Sequence, residues 1–364
     1  MALDDQVVGH RRAGGFALRN QQTNVLRVRD RTITMVRMRA LVLDSFGPPP
    51  RFGMRDVPPP PLKPGCVRLR VHAVGFGFPD ALMFAGKYQS KTEPPFTPGN
   101  EVAGVVTEAA PDVGNVNVGT RVLAMAGQGA LADECVVDAS AVLPIPASMS
   151  FEVAASLLVN YGTTYHALVQ RARLQPGETL LVLGAAGGAG LSAVEIGKAL
   201  GARVLAAAST QEKLELARRH GADAVFDYTR ESIKSKVLEF TGDRGLDVAY
   251  DPVGADTAEQ VVRAMGWNGR YLAIGFAGGG IPSIPLSLPL LKGCSIVGVF
   301  WGAHVRREPA LHAANFAALF ALFEAGKLRP HVMPVDGLER TADALEVING
   351  RRSVGKVVIR VAAV

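Results

Sequence analysis

The segment Glu178-Thr-Leu-Leu-Val-Leu-Gly-Ala-Ala-Gly-Gly-Ala-Gly190, which runs on into Leu191-Ser-Ala-Val-Glu-Ile-Gly-Lys-Ala-Leu200, constrains this chain most. The run Leu180 to Leu183 is apolar without alternation and reads as a strand buried on both faces. A glycine cluster ends it, and Leu191, Val194, Ile196 and Leu200 then recur at helical spacing. Strand, glycine turn and helix together present a helix N-terminus to a phosphate. Gly184, Gly187, Gly188 and Gly190 carry no Cβ, so their backbone N–H groups can approach a pyrophosphate closely. Tight strand-to-helix packing also selects glycine, so the cluster alone leaves both readings open.

The next residues extend the pattern. Ala202 to Ser209 reads as a second parallel strand, and Gln211 to His220 as a second helix stopped by Gly221. The two make a βαβ unit of the length a dinucleotide fold requires. An NAD site normally has Asp or Glu at the end of this second strand to hold the ribose 2′-OH. Here Ala208 and Ser209 stand there, with Lys213 one helical turn on. With no carboxylate to repel a 2′-phosphate, the site is expected to prefer NADPH. The alternative is that Ser209 is a helix N-cap and Lys213 a solvated helix residue.

The 364 residues leave room for about two domains, and 48% hydrophobic with 20% charged content describes a soluble α/β protein. Cys66, Cys135 and Cys294 form no CxxC pair, which excludes a disulfide scaffold and suits a reducing, cytoplasmic setting. A pI near 9.3 suggests a nucleic-acid partner, but the charge is concentrated. Residues 1–40 hold eight arginines against three aspartates, a net +5 of the formal +6. The remaining chain is close to neutral and offers no basic binding face. Tyr271 to Leu291 has no charged residue, but its glycines and prolines would break a spanning helix. It reads as buried strand and loop, with no membrane segment.

The Arg-rich residues 1–34 lack an apolar core for a secretory signal, and a disordered, dispensable leader is expected there. From Met38 to about residue 155, short strands separated by Pro and Gly describe an antiparallel, barrel-like domain: Arg68–Gly75, Val102–Val106, Arg121–Ala124 and Glu134–Val137. Strand and helix alternate from about 156 to 300. The tail, with a helix around Phe316–Ala325 and the strand Gly355–Val361, is expected to return to the first domain.

Several motifs, in order, carry a family resemblance. They are Gly75-Phe-Gly-Phe-Pro-Asp80 through Tyr88, Pro95-Phe-Thr-Pro-Gly-Asn-Glu-Val-Ala-Gly-Val-Val106, Tyr161-Gly-Thr-Thr-Tyr-His-Ala-Leu168, Tyr250-Asp-Pro-Val-Gly254, Ile274-Gly-Phe-Ala277, Leu291-Lys-Gly293, Val299-Phe-Trp-Gly302 and Gly355-Lys-Val-Val358. From Met38 onward the chain resembles the medium-chain dehydrogenase/reductase superfamily, in its zinc-free quinone oxidoreductase (zeta-crystallin-like) branch. The resemblance implies an α/β protein with a GroES-like antiparallel β-barrel catalytic domain over 35–155. A Rossmann NADPH-binding domain would follow over 156–302, and a returning segment over 303–364.

Carried over by position, the resemblance places Thr164 near the nicotinamide and Gly187, Gly188 and Gly190 at the pyrophosphate. Ser209, Lys213 and Tyr228 would surround the 2′-phosphoadenosine. Phe276, Phe300, Trp301 and Gly302 would wall the nicotinamide, and Lys356 would close the cleft. Tyr88 matches in position a tyrosine that related enoyl-thioester reductases use as an acid. Gly77 departs from the asparagine common in the family, where an amide would orient a substrate carbonyl. Zinc members have Gly-His-Glu and a four-cysteine lobe; this chain reads Gly99-Asn-Glu101 with no cysteine between Cys66 and Cys135, so no zinc is expected.

Without a Lewis-acid metal, the expected chemistry is hydride transfer to a quinone or an activated enone, with NADPH as donor. An enoyl-thioester reductase using Tyr88 and a non-catalytic NADPH-binding protein are the alternatives. A homodimer is expected through Ile296–Phe300, where the family joins two sheets edge to edge.

Overall fold

A computed structural model describes residues 37–89 and 92–361; the leader expected over 1–34 lies outside them. The first half opens with the antiparallel ribbon β1 (Met38–Ser45) and β2 (Arg51–Val57). Strand β3 (Cys66–Phe76) follows, then α1 (Phe78–Phe84), β4 (Glu101–Ala109), β5 (Arg121–Met125), β6 (Glu134–Asp138) and β7 (Val142–Pro144). Val67, Leu69 and Val71 of β3 are buried while Arg68 and Arg70 between them point the other way, the period-2 pattern of a half-covered strand. From Ala73 to Phe76 burial becomes continuous, because helix α2 (Phe151–Tyr165) covers the second face. Ser150 caps α2, accepting from the Val153 N–H at 3.2 Å, and a π-helical stretch carries the helix on through Arg171. The expected domain boundary after residue 155 therefore falls inside a helix.

The second half runs β8 (Thr179–Leu183), α3 (Gly188–Ala199), β9 (Arg203–Ala208), α4 (Gln211–Arg219), β10 (Ala224–Asp227), α5 (Ile233–Thr241), β11 (Leu246–Asp251), α6 (Thr257–Arg263), β12 (Met265–Ala273), α7 (Ser287–Lys292) and β13 (Ser295–Gly298). Its six strands are all parallel, in the order β10-β9-β8-β11-β12-β13. Leu180 and Val182 of β8 enter the core shared with α2, while Leu181 and Leu183 enter the core on the opposite face. Each leucine so buried contributes about 1.5–3 kcal/mol, which explains a run with no polar alternation.

The chain then forms α8 (Trp301–Arg307), α9 (Pro309–Glu324), β14 (Val332–Asp336), α10 (Thr341–Asn349) and β15 (Lys356–Arg360). β14 pairs parallel with β15, and β15 pairs antiparallel with β3, joining Val357 to Phe76 and Arg360 to Ala73. The C-terminal segment thus completes the seven-stranded sheet of the first half, β14-β15-β3-β4-β5-β7 with β6 on β3.

The stretch Tyr271–Leu291 corrects the expectation of a wholly buried strand and loop. Only its first residues lie in β12; α7 follows, and Ile281, Leu286, Leu290 and Leu291 are about four-fifths exposed. An uncharged segment reads as core when it is covered; α7 packs on α6 and β12 through one face, and among the described residues Leu286, Leu290 and Leu291 stay uncovered on the other. Among the described residues, no helix is long and apolar enough to cross a membrane.

Candidate active site

The order of the parallel sheet reverses at β8, whose neighbours are β9 on one side and β11 on the other. Crevices for ligands open beyond the C-terminal ends of strands at such a point. Here the crevice is a cleft of about 490 Å³ between the two halves. Gly184 turns the chain at φ +56°, and Gly187 stands as N-cap of α3 with no side-chain cap. The first N–H groups of α3 are therefore free to meet an anion, favoured by the helix dipole. The two halves meet at this turn: the Gly355 N–H donates to the Ala186 carbonyl at 2.7 Å.

A buried polar frame holds the walls. Thr164 Oγ1 hydrogen-bonds Ser192 Oγ (2.7 Å) and Tyr250 Oη (2.8 Å), tying α2 to α3 and β11. The Tyr161 hydroxyl donates to Glu195 at 2.6 Å, and Glu195 also engages His220. On the other wall, Asp251 accepts from the Val253 and Gly254 N–H groups (2.7 and 2.8 Å) and from the Tyr271 hydroxyl (2.6 Å). That carboxylate fixes the loop whose Pro252 and Val253 face the cleft.

At the end of β9, Ser209, Lys213 and Tyr228 all line the cleft. Thr210, not Ser209, caps α4: its hydroxyl accepts from the Lys213 N–H at 3.3 Å, which leaves Ser209 facing the cleft. Lys213 Nζ donates to the Arg351 carbonyl at 2.9 Å, and the Arg351 guanidinium reaches the Gly278 carbonyl at 3.0 Å. Burial pushes the Tyr228 hydroxyl above its ordinary pKa, with the Arg351 charge opposing. No acid lines this end of the cleft among the described residues. Arg351, at φ +53°, was not legible in the sequence, because it belongs to no motif and reaches the cleft only through the return of the C-terminal segment.

Gly187, Gly188, Gly190, Phe276 and Lys356 also line the cleft. Five residues expected there do not. Thr164 is fully buried in the frame just described; its neighbour Thr163, a helical step away on α2, faces the cleft instead. Trp301, the first residue of α8, turns inward over Gly162 and Phe316, Gly302 follows it in the same helix, and Phe300 is 56% exposed at the outer edge of the sheet. The reason is strand order: β13 lies three strands from β8, about 14 Å from the glycine turn. Tyr88 is half-buried in the turn after α1, its N–H on the Leu82 carbonyl, and it too stands outside the cleft lining.

Three ionisable groups lie under the wall formed by the first half. Lys356 Nζ pairs with Glu101 Oε1, whose other oxygen accepts from the Val159 N–H at 3.1 Å. Asp80 accepts from the Gly77 N–H at 2.8 Å. Burial pushes the Asp80 carboxyl up to about 7; Lys356 opposes the shift, Glu101 adds to it, and the Gly77 hydrogen bond opposes it. Asn100 is turned away from any ligand role: its Oδ1 accepts from the Gly127 N–H at 2.9 Å. Among the described residues, no group of three or more His, Cys, Asp or Glu is placed to hold a metal ion.

This barrel-and-Rossmann pairing, with a glycine-turn cleft between the halves, defines the medium-chain dehydrogenase/reductase superfamily, and the chain belongs to its quinone oxidoreductase-like branch. Residues 63–147 match the alcohol dehydrogenase GroES-like domain, and residues 188–316 match the zinc-binding dehydrogenase family. The chain is 44% identical to the quinone oxidoreductase-like protein 2 homolog of Nematostella vectensis over 296 residues, 80% of this chain and 81% of the relative. A probable oxidoreductase from Mycobacterium abscessus superposes with a TM-score of 0.81 at 36% identity, covering 90% of this chain and 99% of that one. The quinone oxidoreductase of Thermus thermophilus, solved also in complex with NADPH, gives 0.76 at 35% identity, covering 89% and 100%.

Proposed function

We propose that the protein is an NADPH-dependent, zinc-independent reductase that delivers a hydride to a quinone or an activated enone. The observation that carries this reading is the cleft itself, with its capless helix N-terminus at the centre and Ser209, Lys213, Tyr228 and Arg351 at one end with no carboxylate among them. The residues fit the cofactor. The N–H groups of α3 suit a pyrophosphate, and the basic, hydroxyl-rich end suits a 2′-phosphate. NADPH would supply a hydride on a nicotinamide lying against Phe276, Thr163 and Gly77. The chain positions both reactants and excludes bulk water.

The zinc that the matched family's name implies does not fit this chain. An amide occupied by a backbone N–H stands where an imidazole would have to coordinate, so no step is assigned to a metal. Three free cysteines support a reducing, cytoplasmic location. Mixing the protein with NADPH and a panel of quinones, enones and primary alcohols, while following nicotinamide absorbance, tests the reading. Quinone or enone turnover is expected; alcohol oxidation with neither would overturn it. Tyr88→Phe should change kcat by less than about threefold, since a placed acid contributes about 10²–10⁴-fold and Tyr88 lies outside the cleft lining.

The reading includes a homodimer. β13 is the open edge of the parallel sheet, Ile296 on it is 42% exposed, and the uncovered leucines of α7 lead directly into it. An apolar edge with unpaired backbone groups is covered by a second copy or aggregates. Light scattering should give twice the 38.4 kDa chain mass, and Ile296→Arg should reduce it to one. A monomer in the unsubstituted protein at micromolar concentration would contradict this.

A further inference from the structure

Asp80, Glu101 and Lys356 are only 4%, 3% and 6% exposed, and of the three Lys356, paired with Glu101, lines the cleft. The β15–β3 ladder, which joins Val357 to Phe76, carries Lys356 beside Gly77 at the cleft wall. Both residues line the cleft. A Cβ on Gly77 would lie 3.2 Å from Lys356 Nζ, with Pro79 Cδ the next atom at 3.7 Å. The missing side chain at position 77 therefore leaves a space whose nearest polar group is the lysine ammonium. An ammonium in such a place presents its N–H donors to any oxygen that occupies the space.

We propose that Lys356 is the proton donor of the reaction: Nζ hydrogen-bonds the oxygen of a carbonyl acceptor seated over Gly77 and protonates it as the acceptor is reduced. The proposal rests on the reductase reading above. The acceptor gains two electrons and a hydrogen as hydride from the nicotinamide, and a proton from Nζ. One N–H bond breaks at the lysine and one O–H bond forms on the product. A quinone so becomes a hydroquinone, and an enone becomes an enol that tautomerises in water. The neutral amine left behind takes a proton from solvent when the product leaves the cleft.

Asp80 acts as a positioning and tuning residue. The charged groups facing it are Glu101 from β4 and Lys356 from β15, together with the Gly77 N–H. With Asp80 protonated, Glu101 is the one charged partner bonded to the Lys356 ammonium. With Asp80 ionised, a second negative charge acts on the ammonium through space and opposes transfer of its proton to the acceptor. Turnover limited by this step should fall as pH rises through about 7, where burial places the Asp80 carboxyl.

The test uses the full chain and Lys356→Met, Lys356→Arg, Asp80→Asn and Gly77→Asn. Lys356→Arg keeps the charge and the pairing with Glu101 but cannot release a proton, so it guards against a variant that fails to fold. It should keep the NADPH Kd within about threefold while lowering kcat with a para-benzoquinone by about 10²-fold or more, abolishing the solvent isotope effect on single turnover. Asp80→Asn should remove the fall in kcat near pH 7. It should also delete, in the cofactor-free protein, the infrared band of a protonated carboxyl that bleaches through the same pH. In a Gly77→Asn background, where an amide shields Nζ, Lys356→Met should cost far less than it does alone. Lys356→Arg turning over within about threefold of the unsubstituted enzyme, or the carboxyl band surviving in Asp80→Asn, would overturn the proposal alone. Unsubstituted enzyme that oxidises no NADPH with any quinone or enone would overturn the reductase reading and the donor role together.

Discussion

Gly190→Ala is expected to destabilise the protein by about 3 kcal/mol or more, a fall in Tm of about 6–12 °C, whether or not NADPH is present. A Cβ there would lie 2.2 Å from the Gly184 carbonyl oxygen, 2.7 Å from its carbon and 2.8 Å from Ala185 Cα, all backbone atoms of the same turn. None can swing aside as a side chain would, so β8 and α3 must part. Gly187→Ala makes the contrast. The nearest atom to its added Cβ is the Gly184 oxygen at 3.5 Å, an ordinary contact. The cofactor-free Tm should hardly change, but the methyl group projects where a pyrophosphate would lie. NADPH at a concentration 100-fold above the Kd of the unsubstituted protein would stabilise that protein by about 2.7 kcal/mol, and this increment should be lost in Gly187→Ala. Calorimetry of both variants with and without NADPH decides it. An unchanged Tm in Gly190→Ala, or a full NADPH response in Gly187→Ala, would refute the assignment of the turn.

Ser209→Asp is expected to reverse or abolish the preference for NADPH over NADH. Ser209 lines the cleft at the end of β9, free of the capping role that Thr210 performs. A carboxylate there repels the 2′-phosphate and offers the ribose 2′-OH of NADH an acceptor, as the acid of NAD-specific folds does. Lys213 and Arg351 remain, and each charged hydrogen bond they could make to the phosphate is worth about 1.5–3 kcal/mol. The ratio of the two Kd values should therefore shift by about 100-fold, with Lys213→Ala and Arg351→Ala each weakening NADPH more than NADH. Equal affinities in the unsubstituted protein would show that the absence of an acid does not select the phosphate.

What the chain determined by itself was local and periodic. Leu180–Leu183, the glycine turn and the helix after it needed only burial preference and backbone freedom, so β8 and α3 could be read residue by residue. Motif order carried the family and the fold class, because each motif is a short segment whose chemistry travels with it.

The site needed the tertiary structure. Thr163 and Thr164 are adjacent letters, and only the packing of α2 against α3 and β11 decides which of them sees the cleft. Phe300, Trp301 and Gly302 stand beside the edge strand, and their distance from the glycine turn follows from strand order, which no local pattern encodes. Arg351 enters the cleft because the last 60 or so residues turn back and pair β15 with β3, a contact spanning most of the chain. The same pairing sets Lys356 against Glu101, 255 residues away in sequence. Periodicity reports which face of an element is covered. It does not report which distant segment covers it, and that choice made the cleft.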